Sequence, residues 1–289
     1  MSSPLNLSKD TNTAKALDSL LYHCQNDKAL ENDKFINLNI NTFKIIRHRS
    51  NNIKFEYNNI PRIIPLTSCK LQDYKELEIL LILNDPIATN KNLILSDNST
   101  SDIFKDIVSL KRFRRYVSGS HKYLKNYDII MTDYRLHHTV VDILKKSSRK
   151  SSSSILPYLI RLSKNAKSES LKVNETVDLK YLKAQVKNIC KNTSFVTNSH
   201  NCLSIKIGVI HSTSREEILS NIDDIVKFLS VKPKKARGTN QTINPNAGII
   251  PLTNINSICL KTANSISLPI YKNLKTPETE KEDFSDIKL

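Results

Sequence analysis

The chain has 289 residues, enough for one large or two modest domains, and its 44 Lys and Arg against 28 Asp and Glu leave a formal charge of +16. Its four glycines, Gly119, Gly208, Gly238 and Gly248, lie too far apart to build a P-loop, a dinucleotide fingerprint or a kinase glycine loop. Five cysteines without C-x-x-C spacing argue against a zinc knuckle or a disulfide framework, and no apolar run approaches the ~20 residues of a membrane helix.

In chain order, Ala16, Leu17, Leu20, Leu21 and Cys24 predict a helix over Thr13–Cys24, with Thr11 or Thr13 as its cap. Ile36, Leu38 and Ile40 then alternate with Asn37, Asn39 and Asn41, which predicts a half-buried strand with an amide face. Pro61 and Pro65 make IPRIIPLTSC an extended crossing segment. From Leu77 the runs become continuous: LEILLIL, LIL at Leu93–Leu95, YDIIMTDY and LPYLIRL. Such runs suit strands of a parallel sheet buried on both faces. Between them, a helix capped by Ser101 is expected to carry Ile103, Ile107, Leu110 and Val117. Another is expected to carry Leu136, Val140, Val141 and Leu144.

Half-buried patterns return afterwards. Asp178 caps a helix with Leu182, Val186 and Ile189, and CLSIKIGV alternates as a strand. Ser214 and Glu217 form a capping box opening a helix with Ile218, Ile222, Ile225, Val226 and Leu229. ICLKTANSISLPI alternates Ile266, Leu268 and Ile270 against Ser265, Ser267 and Pro269. The expected fold class is α/β in two domains. One is a discontinuous split α/β domain from residues 1–75 and 165–275, the other an inserted domain from 76–164, and 276–289 form an acidic tail.

The charge is uneven, with basic clusters at Lys105–Lys125, at Lys145–Lys172 and in the loop of Lys232, Lys234, Lys235 and Arg237. An excess of this size points to a polyanionic partner. Arg112, Phe113, Arg114, Arg115 and Tyr116 mix cations with aromatics, although Phe113 has the spacing of a core residue. Asp133 beside His137 and His138 has the ingredients of acid–base or metal chemistry, but helix capping is the plainer role. G-x-S-x-G, H-E-x-x-H and a close Cys–His set are all missing, so the expectation is a non-enzyme.

ICLKTANSISLPIY (Ile258–Tyr271) resembles the C-terminal motif of the ribosomal protein L-one superfamily, the large-subunit stalk protein and its assembly-factor relatives. IPRIIPLTSCKL, YDIIMTDYRLHH, LPYLIRLSK, CKNTSFVTNSHNCLSIKIGVI and the terminal SDIKL agree in order. The pattern looks most like the ribosome-biogenesis branch. The resemblance implies a split α/β domain that binds structured RNA and a Rossmann-like three-layer insert. Carried over by position, the RNA face is Lys34 and Phe35, Ser204 and Lys206, and Thr262, Ala263, Asn264, Ser265 and Ser267. Stalk proteins carry Thr-Met-Gly where this chain has Thr262-Ala263-Asn264, so their RNA target does not transfer.

The expectation is therefore a nucleolar pre-rRNA-binding assembly factor of the small-subunit processome. Its partners would be structured pre-rRNA and assembly-factor proteins, with no membrane, small-molecule substrate, cofactor or metal. The alternatives are a mature stalk component, an enzyme using the insert, and a protein-interaction module.

Overall fold

The computed structural model describes residues 5–44, 60–67, 71–119, 121–148, 156–164, 176–197, 200–232 and 247–273. Most of the basic cluster at Lys145–Lys172, the basic loop from Lys234 to Arg237 and the acidic tail lie outside these residues.

The chain opens with helix α1 (Thr11–Asn26). Its cap is Asp10, which accepts from the Asn12 amide, while the expected cap Thr13 is buried in the helix. Strand β1 (Phe35–Thr42) and the short β2 (Arg62–Ile64) follow. Next come β3 (Ile79–Leu83), α2 (Ala88–Ser96), β4 (Asp106–Ser109) and α3 (Leu110–Gly119). Then β5 (Ile129–Asp133), α4 (His137–Ser148), β6 (Tyr158–Ile160), α5 (Leu179–Lys191) and β7 (Thr193–Phe195). The chain closes with β8 (Cys202–Val209), α6 (Arg215–Ser230), β9 (Ile255–Lys261) and β10 (Leu268–Lys272).

The fold is mixed α/β with two principal sheets. β10, β9, β1 and β8 form an antiparallel sheet in that order, so strands from both chain ends pair. Ile36, Leu38, Ile40, Leu203, Ile205, Ile207, Ile258 and Leu260 point into one core under α1 and α6. Ser214 and Glu217 bond reciprocally as the expected capping box at the head of α6. Gly208 lets α6 approach β8 closely, since a Cβ there would lie 2.9 Å from Ile218 Cγ1.

The second sheet is parallel, in the order β4, β3, β5, β6. Alternate residues of β3 serve opposite layers. Leu80 and Ile82 pack with Phe113, Val117, Val140 and Leu144 of α3 and α4. Ile79, Leu81 and Leu83 pack with Ile94 of α2 and with Leu182, Val186 and Ile189 of α5. By packing, α5 thus goes with the parallel sheet, although it follows residue 164, where the strand types suggested a boundary. β2 and β7 pair antiparallel as a two-stranded link, where the prolines implied an extended crossing.

Two expectations fail in the parallel unit. Leu93–Leu95 is not a strand but part of α2, where Ile94 is buried while Leu93 and Leu95 are exposed. Three apolar residues do not separate a strand from a helix turn. Ile107 belongs to strand β4, not to a helix capped by Ser101. The helix starts at Leu110, and Ser109 Oγ accepts from the Arg112 amide at 3.3 Å.

Candidate nucleic-acid interface

The antiparallel sheet seals its apolar face and leaves the other one polar. Register puts Lys206, Asn37 and Lys261 side by side across β8, β1 and β9. The next row is Ser204, Asn39 and Cys259, and the next Cys202, Asn41 and Ser257. Asn41 Nδ2 donates to Ser257 Oγ at 2.9 Å. Asn39 Oδ1 is buried and has no hydrogen-bond partner among the described residues.

At the Lys206 end the expected residues gather. Lys206 Nζ lies 3.9 Å from the Phe35 ring centroid and Lys34 Nζ 5.7 Å from it. Lys206 is an exposed residue whose ammonium is desolvated over the Phe35 ring. That desolvation, with Lys34 nearby, lowers its pKa from the ordinary 10.5, and Asp128 only partly opposes the shift. Lys34 is paired with Asp128 at 3.8 Å. Phe35, Asn37, Ser204 and Lys206 line a cleft of about 440 Å³ together with Asp128 and Tyr158. Tyr158 Oη and Ser194 Oγ share a 2.7 Å hydrogen bond beside it.

The β9–β10 turn is tied to the same end of the sheet. Asp33, just before Lys34, is buried and accepts from Thr262 Oγ1 at 2.6 Å, the Asn264 amide at 2.9 Å and Asn264 Nδ2 at 2.7 Å. Burial pushes the Asp33 pKa up, but these bonds and Lys261 outweigh it and hold the carboxyl below 3.8. Thr262 is 0% exposed, so it offers no hydroxyl to a ligand as expected from sequence, and instead orders the turn. Ser265 Oγ accepts from the Thr262 amide and donates to Ile266 O, which closes the turn. Ala263, Asn264 and Ser267 are exposed. Ile266, expected on the core side of a strand, is 67% exposed at the tip. The turn interrupts the alternation, because Thr262–Ser267 belongs to neither strand.

Sequence reasoning missed Asp33 and Lys261. Lys261 carries a signal, since it alternates onto the face of Cys259. Asp33 carries none, because its partners lie 229 and 231 residues away.

The other chemical candidate resolves into structure. Asp133 Oδ1 accepts from the Arg135 amide and Oδ2 from Arg135 Nη2 at 2.6 Å, and the two side chains are 0% and 3% exposed. This is the capping role plus a buried ion pair. The described residues include no cluster of three or more His, Cys, Asp or Glu placed to hold a metal.

A polar antiparallel sheet closed by both chain ends, with a parallel α/β unit inserted between them, defines a two-domain α/β protein of a recognisable class. Residues 20–266 match the Ribosomal protein L1p/L10e family, and the chain belongs to that family. It is also similar to "Ribosome biogenesis protein UTP30" of Saccharomyces cerevisiae, 41% identical over 278 residues that cover 95% of each chain.

Proposed function

We propose that this chain is a non-catalytic ribosome biogenesis factor that docks on structured pre-rRNA in the nucleolus, within early small-subunit particles. The polar face of the antiparallel sheet carries the reading. It ends in Lys206 and Lys261, flanked by Phe35, Lys34 and the exposed turn Ala263–Asn264. Lysines supply phosphate contacts, and amides and hydroxyls meet 2′-OH groups and sugar oxygens. The likeness to a yeast protein named for ribosome biogenesis supports an assembly role over a place in the mature stalk. So does the loss of the Thr-Met-Gly of stalk proteins. Asp33 and Thr262 act as positioning residues that hold the turn. The two sheets are taken as two domains, with other assembly factors as further partners and no cofactor.

The test is binding of a labelled, folded small-subunit rRNA fragment to the variant Lys34→Gln with Lys206→Gln and Lys261→Gln. Loss of two or three charged contacts of ~1 kcal/mol each weakens binding by about tenfold or more, and the wild-type affinity falls steeply with salt. Unchanged affinity in the folded variant removes the face. Sedimentation with polysomes instead of early particles removes the assembly role.

A further inference from the structure

The sheet-end cluster leaves a second cationic surface unexplained. Helix α3 buries Phe113 and Val117 under the parallel sheet, as the spacing of Phe113 implied. That orientation exposes Lys111, Arg112, Arg114 and Arg115 together. None of these four has an ion-pair partner among the described residues. The stretch 110–126 adds Lys122 and Lys125 and contains no acid. By contrast, helix α6 sets Glu216, Glu217, Asp223 and Asp224 against only Arg215 and Lys227. A concentration of one sign repels itself and is tolerated when a polyanion matches it.

Helix α5 is also lysine-rich, with Lys180, Lys183, Lys187 and Lys191. Two features separate α3 from it. Three of the α3 cations are arginines, whose planar forks bind phosphate oxygens in pairs. Among them stands Tyr116, 40% exposed and tilted against Tyr123 with centroids 5.0 Å apart, whereas Tyr181 of α5 is half-buried. An exposed ring beside arginines suits a nucleobase, which an acidic peptide lacks. The cleft beside Phe35 is lined by Ile189 and Cys190 of α5, whereas α3 covers the opposite face of the parallel sheet.

We propose that the outer face of α3 is a second RNA-contact surface, separate from the sheet-end cluster, on which Lys111, Arg112, Arg114 and Arg115 hold phosphates and Tyr116 stacks an unpaired base. A long or folded RNA would then be held at two places on opposite sides of the parallel sheet.

The test uses the full chain and a fluorescein-labelled RNA hairpin with an unpaired loop, titrated at several KCl concentrations. Replacing the four α3 cations by Gln is expected to weaken binding about tenfold or more at low salt. It should also make the log–log salt dependence shallower by about 3, since each neutralised phosphate contributes about 0.7–0.9. Removing the same charge from α5 (Lys180, Lys183, Lys187 and Lys191 to Gln) should cost clearly less. Tyr116→Ala should weaken the looped hairpin more than a blunt duplex. Thermal melting confirms that each variant is folded.

An α3 variant with wild-type affinity and slope overturns the proposal, as does an equal loss in the α5 variant, which would make α3 only a share of the net charge. Competition by polyglutamate as effective as by RNA overturns it in favour of an acidic protein partner. Each of these failures leaves the effect of the Lys206 and Lys261 substitutions intact.

Discussion

The two large sheets bury themselves in opposite ways. The antiparallel sheet hides one face and keeps Asn37, Asn39, Asn41, Ser204 and Lys206 on the other, whereas the parallel sheet hides both faces of β3 beneath helices. An antiparallel sheet built from half-buried strands therefore has backbone-rigid side chains to offer a ligand. The parallel unit spends most of its strand side chains on its two cores, only Ile129 and Tyr158 reaching the cleft, and meets solvent chiefly through helices such as α3. The difference teaches where to look for contacts in each half: strand residues and a turn in one, the outer face of a helix in the other.

The largest effect should come from breaking the parallel unit at Asp133. Asp133→Asn removes the carboxylate from a buried ion pair, which costs roughly 3–5 kcal/mol. Urea denaturation of the full chain measures it, and a loss under 1 kcal/mol would mean that the pair is solvated in solution.

In the antiparallel unit the corresponding break is Asp33→Ala. It frees Thr262 and Asn264 and should cost about 1.5–3 kcal/mol, as for hydrogen bonds to a charged group. RNA affinity should fall with it even though Asp33 touches no ligand. A variant that is destabilised but binds RNA as before would separate the turn from the interface.

Acid sharpens the same contrast. The Asp33 carboxyl is held below 3.8, so its contribution is fully present above 3.8 and is lost as pH falls through the lowered folded value. The amide resonances of Thr262 and Asn264 should therefore hold steady down to that point and move only below it. On the alkaline side, the lowered pKa of Lys206 means that its phosphate contact weakens before pH reaches 10.5, visible as an early decline in RNA affinity.

The smallest effect is expected where the two units touch. Lys34 and Asp128 are both substantially exposed and 3.8 Å apart, so Asp128→Asn should change stability by well under ~1 kcal/mol. It should instead raise RNA affinity slightly, by releasing Lys34 and removing an acid from the cleft wall.

Much of this fold is legible residue by residue. Asp178 accepts from the Tyr181 amide at the head of α5, and Ile36, Leu38 and Ile40 lie inward as their alternation implies. Where local pattern is ambiguous it misleads: Leu93–Leu95 sits in a helix, and Ile107 lies in a strand just before one. At the candidate interface, Lys34 and Lys206 flank the Phe35 ring, and Ser204 lines the same cleft as Phe35 and Lys206. Thr262 does not join them at the surface, because its hydroxyl is spent on Asp33.

Burial periodicity, caps and net charge are properties of neighbouring residues, so the chain determined these alone: two kinds of strand, the capped heads of α5 and α6, a glycine-poor cationic protein without a phosphate loop. Which distant segments meet is a property of the folded whole. Only tertiary structure decided that Asp33 would anchor a turn more than two hundred residues later and that α5 would pack on the parallel sheet. Pairings at such separations are set by shape and by the competition for hydrogen bonds inside one compact object, and no local repeat encodes them.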